Sequence, residues 1–200
     1  MLKESRVHEY WEQRAAKQGM QTVGFSNRSL DFQSRLHKQR IKFIFPRCPQ
    51  FLKTLDFGCG TGNFANCFES YLGVDISETL LAFARATHPE KDFILLEQPI
   101  PSEKAILLFN PELFFSATVL QHNSDNLVRK IFKSIAQIEQ DMIFSIYENC
   151  QVIAKHVKGR ESEEYLALLG ESFKILSSRS FSHCVHGEKH ALTIAKTEPL

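Results

Sequence analysis

A chain of 200 residues with 43% hydrophobic and 24% charged side chains fits one globular domain with room for a sizeable core. Its net charge of +1, with Lys and Arg scattered rather than massed, gives no electrostatic footprint for general nucleic-acid binding, although a small RNA or DNA element stays open. The charged start MLKESRVHEYWEQ lacks an apolar core, and no run approaches the roughly 18–20 apolar residues of a membrane span, so neither a signal peptide nor a membrane partner is expected. Five cysteines (48, 59, 67, 150 and 184) form no CxxC, which points to reduced thiols in a cytoplasm.

In chain order, residues 3–18 have helical spacing, with Val7, Tyr10, Trp11 and Ala15 on the apolar side. QTVGFSNRS reads as a loop, and Asp31 to Phe45 as a second helix, rich in Arg and Lys, ended by Pro46 and Pro49. The chain then alternates. Strands are expected at Thr54–Phe57, Tyr71–Val74, Asp92–Leu96, Leu113–Ala117 and Met142–Ile146. Between them fall a short helix at Asn63–Ser70, a helix capped by Ser77 running to about Thr87, and a long helix capped by Ser124 reaching about Gln140. Ser162 reads as the cap of a helix ending near Gly170, and Phe173–Phe181 with Ala191–Ala195 as a closing pair around the turn-rich HGEK. Strands separated by helices predict a doubly wound, Rossmann-like α/β sheet, and the closing pair an antiparallel edge.

The stretch LDFGCGTGNF follows the first of those strands. A phosphate-binding P-loop needs GxxxxGK[ST], and no Lys stands behind the last glycine. The dinucleotide fingerprint GxGxxG fails too, because the third glycine comes one residue early. The pattern DxGxGxG is met in full by Asp56, Gly58, Gly60 and Gly62. In this the chain resembles the class I S-adenosylmethionine-dependent methyltransferases. The cofactor's methionine end carries an ammonium, a carboxylate and a sulfonium. Glycines allow close backbone approach, Asp56 and nearby carbonyls suit the cationic groups, and loop N–H groups, that of Cys59 included, suit the carboxylate. The Cys59 thiol has no activating His or Lys nearby and reads as structural.

The resemblance implies a second contact, a carboxylate for the ribose diol at the end of the second strand. YLGVDIS supplies Asp75, with Ile76 placed to pack on adenine; the competing reading makes Asp75 a helix cap. It implies a third after strand three, where Glu97 and Gln98 are candidates for the adenine amine. If strand four is Leu113–Ala117, Ala117 and Thr118 line the cofactor. If it is instead Ala105–Phe109, Asn110-Pro111 resembles the motif of amino methyltransferases, although Glu112 and Leu113 stand where that motif has Pro and an aromatic. Beyond the fourth strand, His122 is the candidate general base.

The resemblance further implies sheet order 3-2-1-4-5-7-6 with strand 7 antiparallel, a single domain over residues 1–200, and within it an N-terminal helical lid (1–50) over the core (51–200). Trp11 is then expected on the lid's inner face, and Arg14 is expected to be solvated or to meet a carboxylate. SHCVHGEKH, with His183, Cys184, His186 and His190, has no standard zinc spacing, so no metal is expected. The function implied is methyl transfer from S-adenosylmethionine to a small-molecule acceptor, through oxygen, by a cytoplasmic monomer or homodimer. A non-catalytic cofactor-binding module and a nucleic-acid methyltransferase are the alternatives.

Overall fold

A computed structural model of the chain describes residues 6–18, 29–151 and 156–200. The buried, β-branched and aromatic segments form one seven-stranded sheet in the order β3-β2-β1-β4-β5-β7-β6. Its strands are β1 (Thr54–Phe57), β2 (Tyr71–Asp75), β3 (Asp92–Leu95), β4 (Leu113–Ala117), β5 (Met142–Asn149), β6 (Phe173–Val185) and β7 (Glu188–Pro199). The first five are parallel, and β7 runs antiparallel to both β5 and β6. The order and the direction of β7 are those that the sequence led us to expect. The helices are α1 (Val7–Gln18), α2 (Leu30–Ile44), α3 (Glu78–Thr87), α4 (Lys104–Phe109), α5 (Asp125–Ala136) and α6 (Ser162–Leu169).

Besides α5, which stops at Ala136 rather than near Gln140, and β5, which runs on to Asn149 rather than Ile146, four elements depart from expectation, each for a local reason. Asn63–Ser70 is no α-helix but a single 3-10 turn at Ala65–Cys67, closed by Ala65 N–H to Gly62 O and Cys67 N–H to Phe64 O. The short path from β1 to β2 instead sends Phe64 and Phe68 into an aromatic cluster. Residues 104–109 are a helix that ends on Asn110 with φ 54°, so Asn110-Pro111 does not follow a strand and the amino-methyltransferase reading of that dipeptide falls. Glu161, not Ser162, caps α6; it forms a reciprocal capping box with Glu164 while its carboxylate also pairs with Lys189 Nζ at 2.8 Å. The β6–β7 hairpin is longer than read, because its half-exposed serines and charged residues sit on the sheet edge, where polar side chains are at home. Its turn is the two residues His186 and Gly187, both at positive φ, the backbone of a tight hairpin.

Two cores flank the sheet. One packs α1, α4, α5 and α6 against it around Leu55, Phe114, Phe132 and Phe144. The other is aromatic: Phe115 meets Phe64 at 5.3 Å, Phe68 at 5.1 Å and Phe45 at 6.0 Å between ring centroids. Phe45 closes α2, so this cluster fixes the helix that covers the carboxyl ends of β1, β4 and β5. Truncating the fully buried Phe115 to Ala should cost about 3–5 kcal/mol. Urea unfolding of F115A checks this, with the midpoint shifting at constant slope.

Candidate active site

The carboxyl ends of the parallel strands open on a cavity of about 840 Å3, in the upper part of the roughly 300–1,000 Å3 span of small-ligand sites. Doubly wound sheets bind ligands at this position. Asp56, Gly58, Cys59, Gly60, Asp75, Ile76, Ala117, Thr118, His122 and Trp11 all line it, so the structure gathers most of the sequence candidates on one surface.

The glycine loop is shaped by its neighbours. Gly58 has φ +74°, and a Cβ there would lie 2.5 Å from Val119 Cγ1, so only glycine fits. The N–H groups of Gly58 and Cys59 both donate to Val74 O, at 2.8 and 3.0 Å, and that of Gly62 to Cys59 O. The Cys59 N–H is therefore spent inside the loop rather than offered to a ligand, contrary to expectation. The Cys59 thiol is buried beside Gly73, and burial raises it well above the usual thiol range, which leaves it inert.

Asp75 joins two segments. One carboxylate oxygen accepts from Gly60 N–H and the other from Ser77 N–H, both at 2.9 Å. It is not the helix cap: the Ser77 hydroxyl caps α3 by accepting from Leu80 N–H. Burial pushes the Asp75 carboxyl up while the backbone donors pull it back. Asp56 accepts from the Tyr71 hydroxyl at 2.7 Å and is held up to about 7 by burial. Beyond β3 the cavity takes Leu96 and Pro99. Glu97 and Gln98, expected to reach the adenine amine, are exposed and lie outside that lining, and the Glu97 N–H donates to the Glu103 carboxylate. The wall next to Ile76 is apolar there, formed by Leu80, Leu96 and Pro99.

α1 closes one side. The Glu12 carboxylate accepts from the Ser77 hydroxyl at 2.6 Å and from the Thr79 hydroxyl, so the helix is tied to the start of α3. Trp11 meets the His122 ring edge-on at 5.0 Å. The half-buried Arg14 donates from its guanidinium to the Tyr10 hydroxyl at 3.1 Å and sits 5.5 Å from the Trp11 centroid. His122 also stacks on His156 at 5.2 Å, and burial lowers its pKa to about 4, so the ring is neutral.

Sequence reasoning missed what holds the β4 loop. Glu148, buried at 1% exposure near the end of β5, accepts from the N–H groups of Val119, Leu120 and Gln121 at 3.0, 2.8 and 3.3 Å. Thr118 enters that loop at φ 59°, with its N–H on Tyr147 O at 2.7 Å. From above, the fully buried Arg160 donates to Leu120 O at 3.0 Å and Asn123 O at 2.6 Å, and it pairs with Asp125. The only sequence signal for Glu148 was a charged residue continuing an apolar strand. His183 and His190 pair across β6 and β7 against Tyr147. Among the described residues, no group of three or more His, Cys, Asp or Glu is placed to hold a metal ion. No described helix is long and apolar enough to cross a membrane.

Residues 55–138 match the sequence profile of a family described as "Methyltransferase domain". No curated protein sequence matches the chain. Among solved structures, it is similar to the magnesium protoporphyrin IX methyltransferase of Synechocystis PCC 6803 with bound S-adenosylmethionine: 14% identity, TM-score 0.65, 98% of each chain covered. It is also similar to the N-methyltransferase NodS of Bradyrhizobium japonicum in complex with S-adenosylhomocysteine, at 14% identity and TM-score 0.63, with 94% of this chain and 98% of that one covered. A phosphoethanolamine N-methyltransferase of Haemonchus contortus aligns over 100% of this chain and 50% of its own, with 16% identity and TM-score 0.70. At such identities the likeness is one of fold.

Replacing Glu148 by Gln keeps the volume but removes one acceptor oxygen, which leaves a buried backbone donor unpaired. E148Q should lose about 1–3 kcal/mol in urea unfolding. Amide exchange should quicken at residues 119–121 before it does in the sheet.

Proposed function

We propose that the chain transfers a methyl group from S-adenosylmethionine to an oxygen of a small-molecule acceptor: residues 55–138 match the profile described as a methyltransferase domain, and the fold is like that of solved S-adenosylmethionine-dependent methyltransferases. One observation carries the site assignment: the buried Asp75 carboxylate, the Asp56 glycine loop, apolar Ile76 and the bent Thr118 loop all face a single cavity. When bound, the cofactor supplies an electrophilic methyl group on a sulfonium. In this reading the Asp75 carboxylate accepts from the ribose hydroxyls with the lone pairs that Gly60 and Ser77 leave. Ile76, Leu80, Leu96 and Pro99 enclose the adenine ring, so its recognition relies on apolar contact more than on an acidic partner. Asp56 and the loop carbonyls face the ammonium, and Ala117 and Thr118 border the reacting end.

α1 and α2 act as the lid. Trp11 and Leu36 shield the cavity from water, which strengthens every charge interaction inside it. Much of the rate then comes from holding the acceptor oxygen in line with the methyl group. His122 takes the acceptor's proton. Its burial has two opposite effects: the ring stays unprotonated and available, yet a pKa near 4 makes it a weak base, so its contribution falls near the low end of the roughly 10²–10⁴-fold range.

Calorimetric titration with S-adenosylmethionine tests the cofactor site. Losing charge-assisted bonds worth about 1.5–3 kcal/mol each, D75N should bind at least about tenfold more weakly than wild type. Equal affinity in the two proteins would refute the ribose assignment. The proton role is tested by the rate of S-adenosylhomocysteine release with a panel of hydroxyl-bearing metabolites. H122A should lose about 10²-fold in kcat with the competent acceptor. The sign of the pH dependence follows from the lowered pKa. The folded ring is neutral from pH 7 down to about 5, so kcat should hold over that interval and fall only as pH nears 4. A base of ordinary pKa would already fail below 6.5.

A further inference from the structure

The cavity has a second end that the cofactor contacts do not use. Gln33, His37 and Arg40 recur at i, i+4 and i+7 on α2 and line it from above; Asn149, Glu188 and His190 line it from β5 and β7. These strands lie two and three places from β1 in the sheet, about 10 and 14 Å away at the usual strand spacing.

Arg40 is the unusual group there. Its guanidinium lies 6.0 Å from the centroid of the Tyr147 ring, whose hydroxyl is 2.9 Å from His183 Nε2. Its Nε is buried without a hydrogen-bond partner, and among the described residues Arg40 makes no ion pair. The two nearest carboxylates act on it only at longer range and are engaged elsewhere. Glu148 holds the N–H groups of residues 119–121, and Glu188 accepts from Asn149 Nδ2 at 2.9 Å and lies 3.6 Å from His190 Nε2. His190 Nδ1, lining the same end, is also buried and unpartnered. A half-buried guanidinium with a buried, unpaired Nε and no counter-ion is costly, and its planar fork suits carboxylates and phosphates.

We infer that Arg40, with His190 beside it, anchors an anionic group of the methyl acceptor, a carboxylate or a phosphate, at the β5–β7 end of the cavity. This rests on the methyltransferase reading only in taking the acceptor to share the cofactor's cavity. The anion fixes the acceptor's orientation and is not itself the methylated atom, because a guanidinium lowers the nucleophilicity of the oxygens it holds.

The probes are benzoate and phenyl phosphate, with neutral benzamide as the shape-matched control. Each is titrated into the wild-type chain with and without saturating S-adenosylhomocysteine and followed by Trp11 fluorescence and calorimetry. At least one anion should bind about tenfold or more tightly than benzamide, both with and without the nucleoside. Preference for benzoate identifies a carboxylate, and preference for phenyl phosphate a phosphate. R40Q should abolish the preference, and R40K should keep part of it. R40Q should bind S-adenosylhomocysteine as wild type does, which also shows that it is folded. Equal or absent binding of anions and benzamide to the wild type overturns the inference, whatever the variants do. So does an R40Q that weakens S-adenosylhomocysteine, combined with loss of anion binding once that nucleoside is present, because Arg40 would then serve the cofactor's own carboxylate. If the wild type fails to bind S-adenosylhomocysteine yet keeps the anion preference, the cofactor reading falls and the anion site stands.

Discussion

The site depends on one constraint: two sharply bent loops at the ends of parallel strands must be held still without secondary structure of their own. Buried carboxylates meet it. Asp75 accepts from Gly60 and Ser77, and Glu148 accepts from three successive N–H groups after β4. In each case a side chain at a strand end supplies the acceptors that a sheet would otherwise provide, so the backbone can leave the sheet without stranding its donors. The desolvation this demands shows in both groups, pushed up by burial and drawn back by the N–H groups around them. Arg160 adds the complementary bonds, donating to carbonyls of the same β4 loop.

That division explains how much could be read from the sequence. The glycine loop and Asp75 were legible because their partners are close in the chain and their chemistry is local: a turn that only glycine fits, and a carboxylate 15 residues from the N–H it accepts. The sheet was legible through its apolar runs and two capping serines, Ser77 and Ser124. Glu148 was hidden because the donors it serves lie 27 to 29 residues earlier, and a charged residue ending a strand usually reads as a solvated end. Arg40 was hidden differently. α2 was visible as a basic helix, but which of its cations turns inward is set by the Phe45 cluster that docks it, not by its own periodicity. Glu97 and Gln98 lie past the end of β3, where no strand alternation sets which side chain faces the cavity, and Leu96 and Pro99 take the lining positions on either side of them.

The aromatic cluster and the site are therefore parts of one arrangement. Phe45, Phe64, Phe68 and Phe115 set the height of α2 over the strand ends, and the same short β1–β2 connection that contributes Phe64 carries the glycine loop. Shortening the expected helix to a single 3-10 turn brings that loop and α2 to opposite walls of one cavity. Glu12 does the corresponding work for α1, on the residues just beyond Asp75.

The cavity that results is electrically divided. Asp56 and Asp75 border one end, and Arg40 borders the other, with the Glu188 carboxylate on the same wall bound to Asn149 Nδ2. With its carboxyl near 7 and a tyrosine hydroxyl donating to it, Asp56 is poised so that an approaching cation draws it into the charged form and displaces its proton. Burial lowers Arg40, but a guanidinium stays charged at neutral pH and favours an anion beside it. A cation-bearing nucleoside and an anionic acceptor would each be drawn to its own half, which orders two ligands in one space without a wall between them. The uncharged His122 ring stands where the halves meet, against Trp11, and a neutral group there leaves both fields intact.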